Sequence, residues 1–299
     1  MNRAWSGRSH GGGLGHALVH AFARVGGVYL CYLLLLPPTC WFFLKDHAAR
    51  RASVRYWRQV RPHLDGLGAT FMALLHFYAF ARILADRLVI SAAPAAISFR
   101  NPGAQRLEQA MRHPQGCIVL SAHLGAWEMA GRWLRVHGQA RINIVMLKAE
   151  DPRVQEQLDR AMGDHPFTII DLRDPFAASL SIAAALRRGE TCCMLADRTA
   201  GTSANTIAVP FLGRLARFPT GPFIAAATTG AVLVPTFALK DGLTSYVLDA
   251  DPPWQVAFTS RATRGRDLEA AVGRWARRLE QVVARHPEQW QNFYDFWRP

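Results

Sequence analysis

The chain has 299 residues, half of them hydrophobic, and carries a formal net charge of +13. That length supports one large α/β domain with a real core, or two small domains, and the sequence shows no repeat period and no long low-complexity tract. The positive surplus suits three polyanionic partners, namely nucleic acid, anionic lipid headgroups or an acidic carrier protein; a nucleic-acid reader would carry a recognisable reading module, and none is present.

The first 18 residues, with Gly11-Gly12-Gly13, read as a flexible basic tail. Residues 19–95 read as a helical, membrane-associated region. No charged residue lies between Arg24 and Lys45, and the run Val28 to Leu36 is followed by Pro37-Pro38 and then Trp41-Phe42-Phe43-Leu44. About twenty charge-free residues are enough to span a bilayer. The proline pair argues against one continuous helix. The aromatic cluster with arginines beyond it fits a helix embedded in one leaflet, or a short helical hairpin. Arg3, Arg8, Arg24, Lys45, Arg50, Arg51, Arg55 and Arg58 face a single acid, Asp46, across the first sixty residues. Such a balance beside an apolar segment matches a negatively charged cytoplasmic leaflet. From about residue 50 to 95, Phe71, Leu74, Leu75, Tyr78 and Ala79 recur at helical spacing.

Residues 96–299 read as an α/β domain. Strands are expected at 117–120, 142–147, 167–170, 192–195 and 232–237, with Tyr246-Val247-Leu248 pairing next as a hairpin. Helices are expected at 125–137, 153–163, 176–188, 221–229 and 265–285. Strands alternating with helices of this length predict a mainly parallel central sheet flanked by helices. Ligands in such sheets sit beyond the C-terminal ends of the strands. Five cysteines, Cys31, Cys40, Cys117, Cys192 and Cys193, are an odd count at spacings that make no disulfide framework. They read as small core hydrophobes in a reducing compartment, and no Cys/His spacing marks a metal site.

The strand-end rule directs attention to Ser121-Ala122-His123-Leu124-Gly125-Ala126-Trp127-Glu128. His123 falls just past a strand and Glu128 about one turn into the next helix. A neutral imidazole with one nitrogen held by a carboxylate is a competent general base for a hydroxyl or amine attacking a thioester. The spacing alone also fits a structural histidine at a helix start.

The surrounding residues resemble the lysophospholipid acyltransferase superfamily, in the branch that holds the lipid A lauroyl and myristoyl acyltransferases. His-Leu-Gly-Ala-Trp-Glu is similar to its His-x4-Asp/Glu signature. Leu195-Ala196-Asp197-Arg198, Val209-Pro210-Phe211-Leu212-Gly213-Arg214, Phe218-Pro219-Thr220-Gly221-Pro222, Gly230 to Pro235 and the tail His286-Pro287-Glu288-Gln289-Trp290 follow in the branch's order. The ending Asn292-Phe293-Tyr294-Asp295-Phe296-Trp297 departs from the lipid A enzymes and resembles uncharacterised predicted acyltransferases. The resemblance implies a membrane-bound enzyme on the cytoplasmic face of a bacterial inner membrane. It would move a fatty acyl chain from an acyl-carrier-protein or coenzyme A thioester to a lipid or glycolipid acceptor, with no metal or redox cofactor. His123 would be the base and Glu128 its partner. Asp197 and Arg198 would bind substrate at a neighbouring strand end, with Arg198 holding a phosphate or polarising the thioester carbonyl. Arg214 and Arg217 would meet a carrier protein or lipid phosphates from a basic loop, and Thr220 and Gly221 would mark an anion-favouring helix start. A lipid or thioester hydrolase, or a non-catalytic membrane-binding protein of the same fold, stands as the alternative. No Gly-x-Ser-x-Gly elbow supports the hydrolase.

Overall fold

The computed structural model describes residues 27–127, 141–147, 167–198 and 205–297. Its N-terminal part is helical: α1 (Gly27–Leu34), α2 (Leu36–Lys45), α3 (His47–Val60) and α4 (Gly66–Ala92). The break between α1 and α2 falls at Leu35, and Pro37 and Pro38 occupy the first turn of α2. Proline fits there because the first amides of a helix have no intrahelical partner to lose. The proline pair therefore divides the apolar run as expected. The helical stretch expected from about residue 50 is two helices, each started by an aspartate: Asp46 accepts from Ala49 N at 3.0 Å and Asp65 from Gly68 N.

Two helical stretches, Val28–Lys45 and Gly66–Ile90, are long and apolar enough to cross a membrane. Along α4, Ala69, Ala73, His76, Ile83, Asp86 and Ile90 are buried. Their three- and four-residue spacing puts them on one face, against the body of the protein. Leu67, Phe71 and Leu75 form an exposed stripe elsewhere on the helix.

The α/β part holds β1 (Ser98–Arg100), α5 (Ala104–Met111), β2 (Cys117–Ser121), β3 (Ile142–Met146), β4 (Phe167–Asp171), α6 (Pro175–Arg187), β5 (Thr191–Leu195), β6 (Thr206–Phe211), β7 (Arg214–Pro219), α7 (Gly221–Thr229), β8 (Val232–Lys240), β9 (Ser245–Ala250), β10 (Trp254–Gln255) and α8 (Arg264–Arg285). The central sheet runs β1-β9-β8-β2-β5-β3-β4, with β10 also pairing β8. From β8 to β4 every neighbouring pair is parallel; β9 and β10 run antiparallel to β8. The expected mainly parallel sheet and the β8–β9 hairpin are both present. Central β2 is apolar from Cys117 to Leu120 because both of its faces are covered. Cys117 and Cys192 sit in that core.

Strands β1, β6, β7 and β10 and helix α5 were not expected from the sequence. Residues 206–219, expected as loop, form the antiparallel hairpin β6–β7. Its inward residues alternate as Ile207, Val209 and Phe211 and as Ala216 and Phe218, packing on the main core. Their exposed neighbours include Ala208, Pro210 and Leu215, which are apolar and hide the period in the sequence. Leu212 and Gly213 turn the hairpin at positive φ, 50° and 77°.

A buried polar cluster fastens the N-terminal helices to the sheet. Lys240 Nζ on β8 donates to Asp86 Oδ2 on α4 at 2.7 Å and to Tyr32 OH on α1 at 2.8 Å. Tyr32 OH donates to Asp86 Oδ1 at 2.5 Å, and Tyr246 OH on β9 also donates to Asp86. Burial lowers the Lys240 amine's pKa, and Asp86 opposes that shift. Removing one partner would strand a charge, at a cost of roughly 3–5 kcal/mol.

Candidate active site

The site forms where two adjacent strands of the sheet end. Ser121, the last residue of β2, pairs with Leu195, the last residue of β5. Two residues further along each chain stand His123 and Asp197, carried side by side by the same register. Ala196 N donates back to Ser121 O at 2.9 Å, so the pairing continues past the strands. Ala196 O is held at 2.9 Å by Trp275 Nε1 of α8.

The segment after β2 is clamped on both sides. Gly125 N donates to Gln289 O at 2.9 Å, and Ala126 N to Ala238 O at 2.7 Å. Gln291 N donates to His123 O, and Gln291 Nε2 to Gly125 O, each at 2.8 Å. Gly125 has φ +62°, and a Cβ there would stand 2.1 Å from Ala238 O. Both the torsion and the space require glycine.

His123 Nδ1 lies 2.8 Å from Asp197 Oδ1, and the His123 backbone N–H donates to the same oxygen at 3.1 Å. Asp197 Oδ2 accepts from Trp290 Nε1 at 3.1 Å. Three donors thus surround one carboxylate whose side chain is 1% exposed, beside an imidazole that is 24% exposed. Burial alone would raise the Asp197 carboxyl's pKa. The charge and hydrogen bond of His123, the nearby Arg198 guanidinium and the Trp290 indole outweigh that and hold it at about 2. Asp197 is therefore ionised at neutral pH, and an anion accepts, so Nδ1 carries the proton. The basic lone pair of the neutral ring is then on Nε2.

Arg198 is partly buried; one of its Nη atoms donates to Gln291 O, and its guanidinium lies 5.3 Å from the centre of the Tyr294 ring. Burial, followed by the charge of Asp197, raises the Tyr294 hydroxyl's pKa, while Arg198 opposes this. Glu128, expected as the partner of His123, lies outside the described residues; among those described, the carboxylate on Nδ1 belongs to Asp197. Asp197 was expected on the substrate side, yet it is buried and occupied by donors from the protein itself.

Arg214 and Arg217, expected in a loop, both lie on strand β7 and are exposed. Arg214 stands over the Trp297 ring at 5.9 Å, and Arg217 donates to Thr206 Oγ1 at 3.3 Å. Among the described residues neither is bonded to His123 or Asp197. Thr220 does precede a helix, α7, but it is buried and its hydroxyl donates to Asn205 O at 3.1 Å. Gly221 is the first residue of that helix and has open space around it. The residues that sequence reasoning passed over are Trp290, Gln291, Tyr294 and Trp275. The tail motif ending at Trp290 was a signal for the first and the ending Asn292 to Trp297 for Tyr294; nothing in the sequence marked Gln291 or Trp275.

A mainly parallel sheet thus brings a partly exposed imidazole and a buried carboxylate together at the ends of two neighbouring strands. The chain belongs to the bacterial lipid A biosynthesis acyltransferase family, which it matches over residues 82–299. It is 29% identical over 202 residues to the phosphatidylinositol mannoside acyltransferase of Mycobacterium tuberculosis strain H37Rv, an alignment covering 65% of this chain and 58% of that protein. It is 25% identical over 187 residues to the phosphatidylinositol mannoside acyltransferase of Mycolicibacterium smegmatis, covering 61% of this chain and 57% of that protein. The chain thus spans less than two thirds of the length of these relatives.

Proposed function

We propose that this protein transfers a fatty acyl chain from an acyl-carrier-protein or coenzyme A thioester to a hydroxyl, or an amine, of a lipid or glycolipid acceptor. The observation that carries the reading is the His123 Nδ1–Asp197 Oδ1 contact of 2.8 Å at a partly exposed imidazole. The family supports the reaction class, and the names of the two mycobacterial relatives support a glycolipid acceptor.

In the proposed reaction, His123 Nε2 takes the proton of the acceptor hydroxyl as its oxygen attacks the thioester carbonyl. The buried negative charge of Asp197 stabilises the imidazolium that forms. The tetrahedral intermediate collapses, the C–S bond breaks, and the leaving thiolate takes the proton back from Nε2. The products are an ester and a free thiol, and the protein returns to its starting state without a cofactor. Arg198, next to Asp197, is proposed to polarise the thioester carbonyl or hold an acceptor phosphate. Arg214 and Arg217 are proposed to meet the carrier protein or lipid phosphates, with Thr220 and Gly221 beside them. Glu128 keeps its place from the His-x4-Glu spacing alone, as a second carboxylate assisting His123.

Docking on an anionic membrane surface, the cytoplasmic face of the inner membrane, is part of the proposal. Tyr29, Leu33, Trp41 and Leu44 on α1 and α2 are exposed, as are Leu67 and Phe71 on α4. Arg51, Arg55 and Arg58 are exposed one and two turns apart on α3. Apolar side chains beside an arginine stripe suit insertion among anionic headgroups. The test is lipid mass spectrometry of a deletion strain against the parent. One ester- or amide-linked acyl chain should disappear from a single lipid class; an unchanged lipid profile would refute the proposal.

A further inference from the structure

The proposed chemistry leaves one buried donor at the site without a role. Trp290 follows the short 3-10 turn Pro287–Gln289 after α8 and is 1% exposed. Its indole N–H is the one side-chain donor, besides His123, recorded on the Asp197 carboxylate among the described residues. A carboxylate can rotate about its last torsion; Trp290 on Oδ2 opposes that rotation and leaves Oδ1 facing Nδ1 of His123.

Trp290 is itself fixed from behind. Its carbonyl accepts from His76 Nε2 of α4 at 2.8 Å, and His76 Nδ1 accepts from Ser53 Oγ of α3 at 2.8 Å. A carbonyl can only accept, so His76 carries its proton on Nε2. The His76 ring stacks on Phe293 at 4.4 Å, and the Trp290 ring packs edge-on to Tyr56, Phe211 and Phe296. The tail that crosses the site is therefore locked at its backbone and at its ring. Only its N–H is turned to the carboxylate.

We infer that Trp290 is the positioning residue of the site: its indole N–H orients Asp197 so that Asp197 can hold the His123 imidazole for proton transfer. The inference rests on the proposed role of His123 and deepens it. Outer hydrogen-bond partners of metal-ligating side chains set activity without touching substrate, with losses of about 10- to 100-fold on removal, and a loss of the same order is expected for the partner of this carboxylate.

The experiment uses the full chain in vesicles of total lipid from the cells that carry the protein, with palmitoyl-coenzyme A as donor. Two variants delete the donor. One is Trp290→Phe; the other replaces Trp290 by 3-benzothienylalanine through codon suppression, which keeps the bicyclic shape and loses the N–H. Both should lower kcat by about 10- to 100-fold with KM within about twofold. In an Asp197→Asn background the benzothienyl replacement should lower kcat no further. Wild-type kcat in the benzothienyl variant, beside an inactive His123→Ala, would overturn the inference and leave the role of His123 standing. An undiminished loss in the Asp197→Asn background would also overturn it, because the indole would then act by packing alone. Wild-type activity in His123→Ala would remove the underlying reading and the inference with it.

Discussion

Asp197→Asn is the substitution whose consequences can be worked furthest from the structure. It keeps shape and removes charge. In the native site Oδ1 accepts from the backbone N–H and Nδ1 of His123, and Oδ2 accepts from Trp290 Nε1. An asparagine has one acceptor oxygen for these two places. If the oxygen stays with His123, the amide N–H2 meets the indole N–H, donor against donor. If the amide is flipped, it faces Nδ1, the imidazole takes its other tautomer, and Nε2 carries the proton instead of the lone pair. Either way the imidazolium loses its counter-charge. The expected fall in kcat is about 10²–10⁴-fold, the range that a positioned general base contributes. The native carboxyl is held at about 2, below the ordinary 3.8. That difference corresponds to about 2 kcal/mol of stability at neutral pH, and the variant should lose a comparable amount. Steady-state thiol release from an acyl thioester, with acyl lipid quantified in parallel, measures the first effect; thermal melting measures the second. Transfer by Asp197→Asn within threefold of wild type would refute the argument that this carboxylate serves the imidazole.

Three further outcomes follow from other parts of the molecule. His76 is fully buried and burial lowers it to about 4 from 6.5; a base kept neutral in the fold contributes stability that is complete above pH 6.5 and declines as pH falls towards 4. The unfolding free energy from denaturant titrations should drop across that window by about 3 kcal/mol, about 1.4 kcal/mol per pH unit, and a stability indifferent to pH between 6.5 and 4 in wild type would contradict the assignment. Gly125→Ala places a methyl 2.1 Å from Ala238 O at positive φ, and should destabilise the fold by roughly 2–4 kcal/mol, read as a lower melting temperature. Arg51→Ala with Arg58→Ala removes two exposed arginines of α3 and should weaken sedimentation with phosphatidylglycerol vesicles by about 30-fold, near 1 kcal/mol for each charge, while binding to neutral phosphatidylcholine vesicles should change little.

Much of the framework was legible because its physics is local. Apolar runs between turns marked β2, β3, β4, β5 and β8, and helical spacing marked α6, α7 and α8 to within a residue or two. Pro37 and Pro38 announced the break between α1 and α2. The hairpin β6–β7 was hidden because apolar Ala208, Pro210 and Leu215 sit on its solvent side, which breaks the polar–apolar alternation of a half-buried strand. His123 was legible from its place beyond a strand. Its carboxylate neighbour was not, because 74 residues separate it from Asp197. Only the β2–β5 pairing makes the two adjacent, and single-sequence periodicity is silent about which strands pair. Trp290 is further still along the chain, and its bond to Asp197 exists only once α8 and the tail have folded back over the sheet.

The most direct measurement is the rate of acyl transfer by purified His123→Ala in anionic vesicles, with labelled acyl thioester as donor and lipid-linked label as product. The account predicts a loss of about 10²–10⁴-fold while melting temperature and vesicle binding stay at wild-type values. Lipid acylated at the wild-type rate by that variant would contradict it.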